Sequence, residues 1–251
     1  MMIQTKCKIS VITVCFNAEN VIEKTIKSVV NQSYKDKEYI IIDGKSTDET
    51  MSIISRYKND IQIIVSEPDE GIYDAMNKAI KIAHGEWVCF MNAGDVFRNN
   101  DVLENVFNEP IPSNATFLYS DIFIKYGNED FLCPMNFSKG GLIHQAIIYK
   151  RNSHKKYGEY IVTHPIIVSD YLFFIRFHVK EVFKLKTIIA IYEGGGVSSQ
   201  NGNWARIQSL CADVVFRRRS FANMIMTYFG KEIADFLPRK IKMGVKKVLF
   251  K

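Results

Sequence analysis

The feature that most constrains this chain is a regular alternation of β-branched apolar runs with helix-periodic segments through its first hundred residues. Residues 9–14, 39–42, 61–65 and 86–91 read as short buried strands. Between them, Asn20 with Glu23 and Ser46 with Glu49 have the spacing of capping boxes at helix starts. Val21, Ile22, Ile26, Val29 and Val30 follow the first box at helical spacing. Ile72, Ala75, Met76, Ala79, Ile80 and Ala83 keep one apolar face, with Gly85 placed as a C-cap. Strands separated by helices predict βαβ units and a mostly parallel sheet with right-handed crossovers. Ligands bind such sheets beyond the carboxyl ends of the strands. The informative segments are therefore 15–17, 43–46, 66–73 and 92–95, all of them polar, acidic or glycine-bearing.

The second half is less periodic. Residues 142–150 and 186–192 read as strands, and 170–179 as a helix with Ser169 as cap. Gly194, Gly195 and Gly196 read as a flexible loop. At 251 residues and 47% hydrophobic, the chain can bury a sizeable core. It has no apolar run of the roughly 18 residues that span a membrane and no secretory leader pattern. Five widely spaced cysteines without a CxxC fit structural thiols in a reducing compartment, not disulfides or structural zinc. Charge is concentrated at the C-terminal end. Residues 204–251 hold eleven Lys/Arg against three Asp/Glu, while the preceding 203 hold 22 against 24. A nucleic-acid binder would spread its positive charge differently, so no nucleic-acid partner is expected.

Neither a GxGxxG fingerprint nor a GxxxxGK[ST] loop is present. A phosphorylated ligand held without glycine loops calls for carboxylates and a hard cation, Mg²⁺ or Mn²⁺, which prefers oxygen ligands. Asn92-Ala93-Gly94-Asp95, directly after the fourth strand, suits that task. Asp95 would ligate the cation, Asn92 would hydrogen-bond a sugar hydroxyl, and Gly94 would permit close backbone approach.

The segments ISVITVCFNAEN, YIIIDGKSTDET, SEPDEGIYDAMNKAIKIAHGEW and VCFMNAGDVF, in this order, resemble the family 2 glycosyltransferases of the GT-A fold. The resemblance is nearest to a bacterial polysaccharide-repeat branch with an Asn-x-Gly-Asp variant of the DxD motif. It covers residues 8–110 closely and 140–200 loosely. It implies an α/β GT-A domain, mostly parallel with flanking helices, over residues 1–203 (nucleotide-sugar half 1–110, acceptor half 111–203). Residues 204–251 would form a basic amphipathic helical extension.

The activity implied is inverting transfer of a sugar from a nucleotide-sugar, usually a UDP-sugar, to a lipid-linked or saccharide acceptor in cell-surface polysaccharide synthesis. Phe16, Asn17 and Asp43 match the nucleoside pocket, and Asp69 and Tyr73 cluster where the donor pocket lies. Asp95 matches the metal ligand, and Asp170 the base that deprotonates the acceptor hydroxyl. His144 and Gln145 match a His-Gln pair near acceptor or phosphates. The resemblance also implies that the glycine-bearing loop at 194–199 closes over the donor.

The chain departs from the family at three points. Gly44 stands where a second acid is common, Met76 where an arginine for the diphosphate is common, with Lys78 as a nearby substitute, and the acid motif keeps one carboxylate. A nucleotide-binding or membrane-binding relative without activity is the alternative these departures leave open. A sugar-nucleotide pyrophosphorylase would need a glycine-rich loop with Arg/Lys after the first strand, which is absent. The basic tail, with Phe221, Met224, Ile225, Tyr228 and Phe229 behind Arg217, Arg218 and Arg219, reads as a contact with an anionic membrane surface. After Pro238, Ile241, Val245, Val248 and Leu249 oppose lysines in the same way. The expectation is a cytoplasmic enzyme at the inner face of the membrane, where a polyprenyl-diphosphate-linked acceptor resides; a homodimer is compatible with it.

Overall fold

The computed structural model describes residues 7–126, 129–163, 165–192 and 202–236. The expected glycine loop at 194–199 and the helix after Pro238 lie outside the described residues. The chain divides between residues 200 and 201 into two units.

The first unit contains two sheets. The strands of the larger are β1 (Ile9–Cys15), β2 (Lys37–Asp43), β3 (Ile63–Ser66), β4 (Trp87–Phe90), β6 (Phe117–Tyr119), β9 (Ile147–Lys150) and β10 (Val182–Lys184). They lie in the order β10-β6-β9-β4-β1-β2-β3. The first four pair in parallel, as the alternation predicts. β9 runs antiparallel to both β4 and β6. Strands β1 and β2 are buried almost throughout, which is why they read as continuous apolar runs rather than alternating ones. The smaller sheet comprises β5 (Val96–Phe97), β7 (Ile122–Tyr126), β8 (Glu129–Cys133) and β11 (Ala190–Tyr192), in the order β5-β11-β7-β8.

The helices of this unit are α1 (Ile22–Val30), α2 (Thr50–Ser55), α3 (Ile72–Ile82), α4 (Val102–Asn108), α5 (Ser153–Tyr157) and α6 (Ser169–Phe174). Neither expected capping box forms: the N-cap residues Val21 and Glu49 make no side-chain cap bond, and Thr50 N at the start of α2 donates to Asp48 Oδ1 at 3.0 Å. Glu23 instead accepts from the Tyr57 hydroxyl at 2.7 Å and pairs with Lys27 at 3.2 Å. α3 ends at Ile82 with Ala83 as its C-cap, so Gly85 is not the cap. A Cβ on Gly85 would collide with the backbone of Ser10, so this glycine serves a close backbone contact. Residues 142–150 are only half strand, because His144–Ala146 form a 3₁₀ turn ahead of β9. Residues 186–192 shorten to β11, and the helix expected at 170–179 to α6. In α6, Ser169 is the first helical residue and Val168 the cap. Beneath α6, Phe173 meets Tyr149, Tyr160 and Phe177 with ring centroids 5.2–5.6 Å apart.

The second unit contains α7 (Gly202–Val215) and α8 (Phe221–Phe236). Arg206 stacks over the Tyr228 ring at 4.8 Å. Arg218 and Arg219 close on Asp213, with Nε atoms 3.6 and 3.5 Å from its carboxylate oxygens. No helix among the described residues is long and apolar enough to cross a membrane.

Candidate active site

In-register parallel pairing brings the carboxyl ends of β1, β2 and β3 level. Cys15 lies opposite Asp43, and Asp43 opposite Ser66. Backbone bonds carry the alignment past the strands: Gly44 N donates to Cys15 O, Glu67 N to Asp43 O, and Ala93 N to Val14 O, at 2.9–3.1 Å. Asp43 is fully buried. Its carboxylate accepts from Ser46 N and Oγ and from Ser66 Oγ, and so ties the loops after β2 and β3 together. Asn17, in the left-handed region at φ 46°, donates from its backbone to Ser46 Oγ and accepts from Thr47 N on its side chain. Ser46 is therefore committed to Asp43 and Asn17, which is why it does not cap α2.

Phe16 stands 61% exposed at the mouth of this cluster. Beside it, a Cβ on Gly44 would lie 2.5 Å from Asp69 Oδ2 and 3.4 Å from the Phe16 ring. The carboxylate of Asp69 thus occupies the space a side chain at position 44 would fill. An acid stands at this spot even though residue 44 is glycine; it arrives from the β3–α3 loop. Lys78 is held within that loop, bonded to Pro68 O at 2.6 Å and paired with Glu67 and Asp74 at 3.1 and 3.2 Å. Met76 is buried in the core.

The second cluster centres on His144. Its Nδ1 lies 3.3 Å from Asp170 Oδ2 and its Nε2 3.5 Å from Asp95 Oδ2, so one imidazole bridges the two acids. All three side chains are largely buried, 13–19% exposed. Burial disfavours the imidazolium, but the hydrogen bonds and charges of Asp170 and Asp95 outweigh it and raise the His144 pKa to about 9. Burial likewise pushes Asp170 upward, yet His144, the Tyr171 N–H and the Tyr73 hydroxyl hold it below the usual carboxylate range. Tyr73 donates to Asp170 Oδ1 at 2.9 Å, and Tyr171 N donates to the same oxygen at 2.8 Å. Gln145 donates from Nε2 to Asp95 Oδ1 at 2.9 Å. Asn92 Nδ2 lies 3.1 Å from His144 Nε2. That contact suits a neutral ring with its proton on Nδ1; the imidazolium would take Asn92 through Oδ1 instead.

Two residues not singled out from the sequence complete the corner. Thr25, buried on α1, accepts from Gly94 N at 2.9 Å and pins the turn that carries Asp95. Asn77, buried on α3, is bonded to the segment around Tyr160. Thr25 sits on the apolar face of its helix, and only the fold shows that its hydroxyl meets a turn remote from it along the chain.

The donor set fits a hard cation. Asp95 offers a carboxylate, and the amide oxygen of Gln145 is buried without a hydrogen-bond partner, whereas Asn92 turns its Oδ1 to the protonated His144 ring. For Gln145 the amide orientation follows from Asp95, which needs the N–H₂ toward it. Oxygen donors of this kind suit Mg²⁺ or Mn²⁺. Among the described residues, no group of three or more His, Cys, Asp or Glu side chains could hold a metal unaided. Most of a coordination shell here would come from ligand oxygens and water.

A mainly parallel α/β sheet flanked by helices, with polar and acidic loops gathered at its carboxyl edge, is the architecture of the GT-A class. Residues 10–182 match the model of "Glycosyl transferase family 2". The chain belongs to that family and is a transferase. It is 27% identical to a PGL/p-HBAD biosynthesis glycosyltransferase of Mycobacterium bovis (strain BCG / Pasteur 1173P2), over 96% of this chain and 88% of that one. It is 32% identical to the cholesterol galactosyltransferase of Borreliella burgdorferi over 48% of this chain and 34% of that one.

Among solved structures, S. aureus TarS 1–349 in complex with UDP-GlcNAc superposes with a TM-score of 0.66 at 16% identity, covering 90% of this chain and 73% of that one. Against another crystal structure of TarS the chain spans 44% of that protein's length. The mannosyltransferase PcManGT from Pyrobaculum calidifontis, in complex with GDP-Man and Mn²⁺, gives 0.65 at 16% identity over 98% of this chain and 74% of that one. These likenesses establish the GT-A fold.

Proposed function

We propose that the chain transfers a sugar with inversion from a nucleotide-sugar, a UDP-sugar by preference, to a hydroxyl of a lipid-linked or saccharide acceptor in cell-surface polysaccharide synthesis. The observation that carries this reading is the convergence of Asp95 and Asp170 on His144. The two acids come from opposite halves of the first unit and meet at the edge where the nucleotide-pocket loops gather.

Phe16 stacks the base, with Asp69 beside it and Asn17 and Asp43 shaping the loops around it. Asn92 and Gly94 line the sugar and diphosphate side, and Lys78 screens the charge of the loop after β3. Asp95, with the amide oxygen of Gln145, would hold the divalent cation, which when bound neutralises charge on the departing diphosphate. Asp170 takes the proton from the acceptor hydroxyl as that oxygen forms its bond to the anomeric carbon. It is ionised at neutral pH because His144, Tyr171 N–H and Tyr73 stabilise its charge. Tyr73 and His144 also fix its orientation, so that its geometry is set before the acceptor arrives. Gln145 performs the same service for Asp95.

On α8, Phe221, Ile225, Met226 and Phe229 are exposed large apolar side chains. Phe221, Ile225 and Phe229 follow one another at i,i+4 spacing and so share one side of the helix. That face supports a peripheral contact with an anionic membrane surface, where a polyprenyl-diphosphate-linked acceptor would lie. The UDP-GlcNAc and GDP-Man of the solved relatives support the donor class, and the Mn²⁺ of PcManGT supports the ion.

The test is donor hydrolysis and transfer measured with and without Mn²⁺ on the whole chain, using UDP-, GDP- and dTDP-sugars. One donor should turn over in a Mn²⁺-dependent manner, and Asp95→Ala should lower turnover by at least about a hundredfold. Equal turnover by Asp95→Ala, or no donor used at all, would remove the reading.

A further inference from the structure

Asn77 lies on α3 and is 4% exposed. Its side chain makes two bonds to one residue of a distant segment. Nδ2 donates to Tyr160 O, and Oδ1 accepts from Tyr160 N, each at 2.9 Å. The planar amide thereby imitates a neighbouring strand and satisfies both backbone groups of Tyr160. Among short side chains, only an amide offers a donor and an acceptor in one plane at that spacing. The next residue is gripped from the other side: Ile161 N donates to Ser169 Oγ, and Ser169 opens α6 directly before Asp170.

The Tyr160 ring sits between the same two elements. It packs on Tyr73 at 5.9 Å and on Phe173 of α6 at 5.2 Å. Its hydroxyl bonds Tyr149 at 2.7 Å. Tyr73, one turn before Asn77 on the same helix, donates to Asp170. Segment 160–161 therefore bridges the helix that follows the donor loop and the helix that carries the proposed base.

We propose that Asn77 is a positioning residue, and that its clamp on Tyr160, closed by Ser169, holds α3 and α6 in the one arrangement in which Tyr73 and α6 orient Asp170. This rests on the assignment of Asp170 as base. A clamp of this kind acts on the chemical step: Phe16 and Asp43 lie on other loops, and Asp69 is held ahead of α3 by its own bond from Gly71 N at 2.9 Å.

The experiment uses Asn77→Ser and Ser169→Ala, which open the clamp from its two sides, with Asp170→Asn as reference. Transfer kinetics, donor affinity by calorimetry and thermal unfolding are measured for each, and rates are corrected for folded fraction. Both clamp variants should lose kcat by about tenfold or more, because a misplacement on the order of 1 Å costs up to a hundredfold. Donor KM and Kd should stay within about twofold. Normal kcat in the folded fraction of both, or kcat and donor affinity falling together, would overturn the clamp while leaving Asp170 standing. Retained transfer by Asp170→Asn would overturn the base assignment and, with it, any catalytic role of the clamp.

Discussion

Two histidines of the first unit titrate in opposite directions, and each leaves a signature in stability. His144, raised to about 9 by Asp170 and Asp95 against the cost of burial, binds a proton more tightly in the folded chain than at its ordinary value of 6.5. Its contribution is complete below pH 6.5 and is lost as pH rises through 9. His154 is the reverse case. Burial pushes it down to about 4. It stacks on Phe173 at 4.4 Å and accepts from Tyr149 through Nε2, with Nδ1 bonded to Gly158 O. Its neutral form is favoured above 6.5, and stability falls as pH drops from 6.5 toward 4. Each displacement corresponds to about 3 kcal/mol by linkage. Denaturant unfolding in chelator should therefore peak near pH 6.5. His144→Asn should flatten the alkaline limb and His154→Phe the acid limb. Unchanged limbs in both variants would contradict the placement of these rings.

Residue type at a strand end singled out Asp95 in the sequence, and the family resemblance singled out Asp170. What joins them was not legible. His144 stood there as one of a pair near acceptor or phosphates, and nothing in its local pattern says that its two nitrogens reach one acid far upstream and another well downstream. Asp69 is a similar case. Its carboxylate fills the space beside Gly44 because two loops meet, and an expectation confined to one loop finds only the missing second acid.

At the scale of elements, β1, β2 and β4 were readable because burial on both faces leaves a strongly apolar signature, while β3, expected to be buried, is a half-buried edge strand. The failures were at helix starts and in the second sheet. Ser46 has the spacing of a cap, but Asp43 and Asn17 claim its hydroxyl, and the first N–H of α2, at Thr50, donates to Asp48 instead. β8 escaped because its residues are largely exposed and its strand is an edge of the sheet; such a strand has no buried face to impose alternation. β9 was read as a strand within 142–150, but its antiparallel direction was not, because strand direction leaves no mark on composition.

Thr25 is where an element acts directly on the site. Thr25→Val keeps the shape but leaves Gly94 N without its acceptor, at a cost of about 1–3 kcal/mol. Because that bond holds the turn of Asp95, the affinity for nucleotide-sugar should fall in Mn²⁺ and change little in chelator. Calorimetric titration under the two conditions checks this, and an equal loss in both would show that Thr25 serves stability alone.

At the scale of the whole molecule, the chain joins a family 2 transferase unit to a helical unit with exposed apolar side chains. If α8 meets a membrane surface, the chain should float with vesicles containing anionic lipid and not with purely zwitterionic ones. Phe221→Ser with Phe229→Ser should reduce flotation by at least about tenfold, as expected when two aromatic anchors are removed, and should leave turnover of a soluble acceptor analogue unaltered. Binding indifferent to lipid charge and to both substitutions would remove the membrane contact without touching the chemistry.

The central claim is that Asp170 is the base of a sugar transfer whose donor is bound elsewhere on the same edge. Its most direct test is single-turnover transfer by Asp170→Asn, with donor affinity measured on the same preparation. The account predicts donor affinity within about twofold of the parent chain and transfer reduced by about a thousandfold or more. A variant that still transfers at more than a few per cent of the parent rate would contradict it.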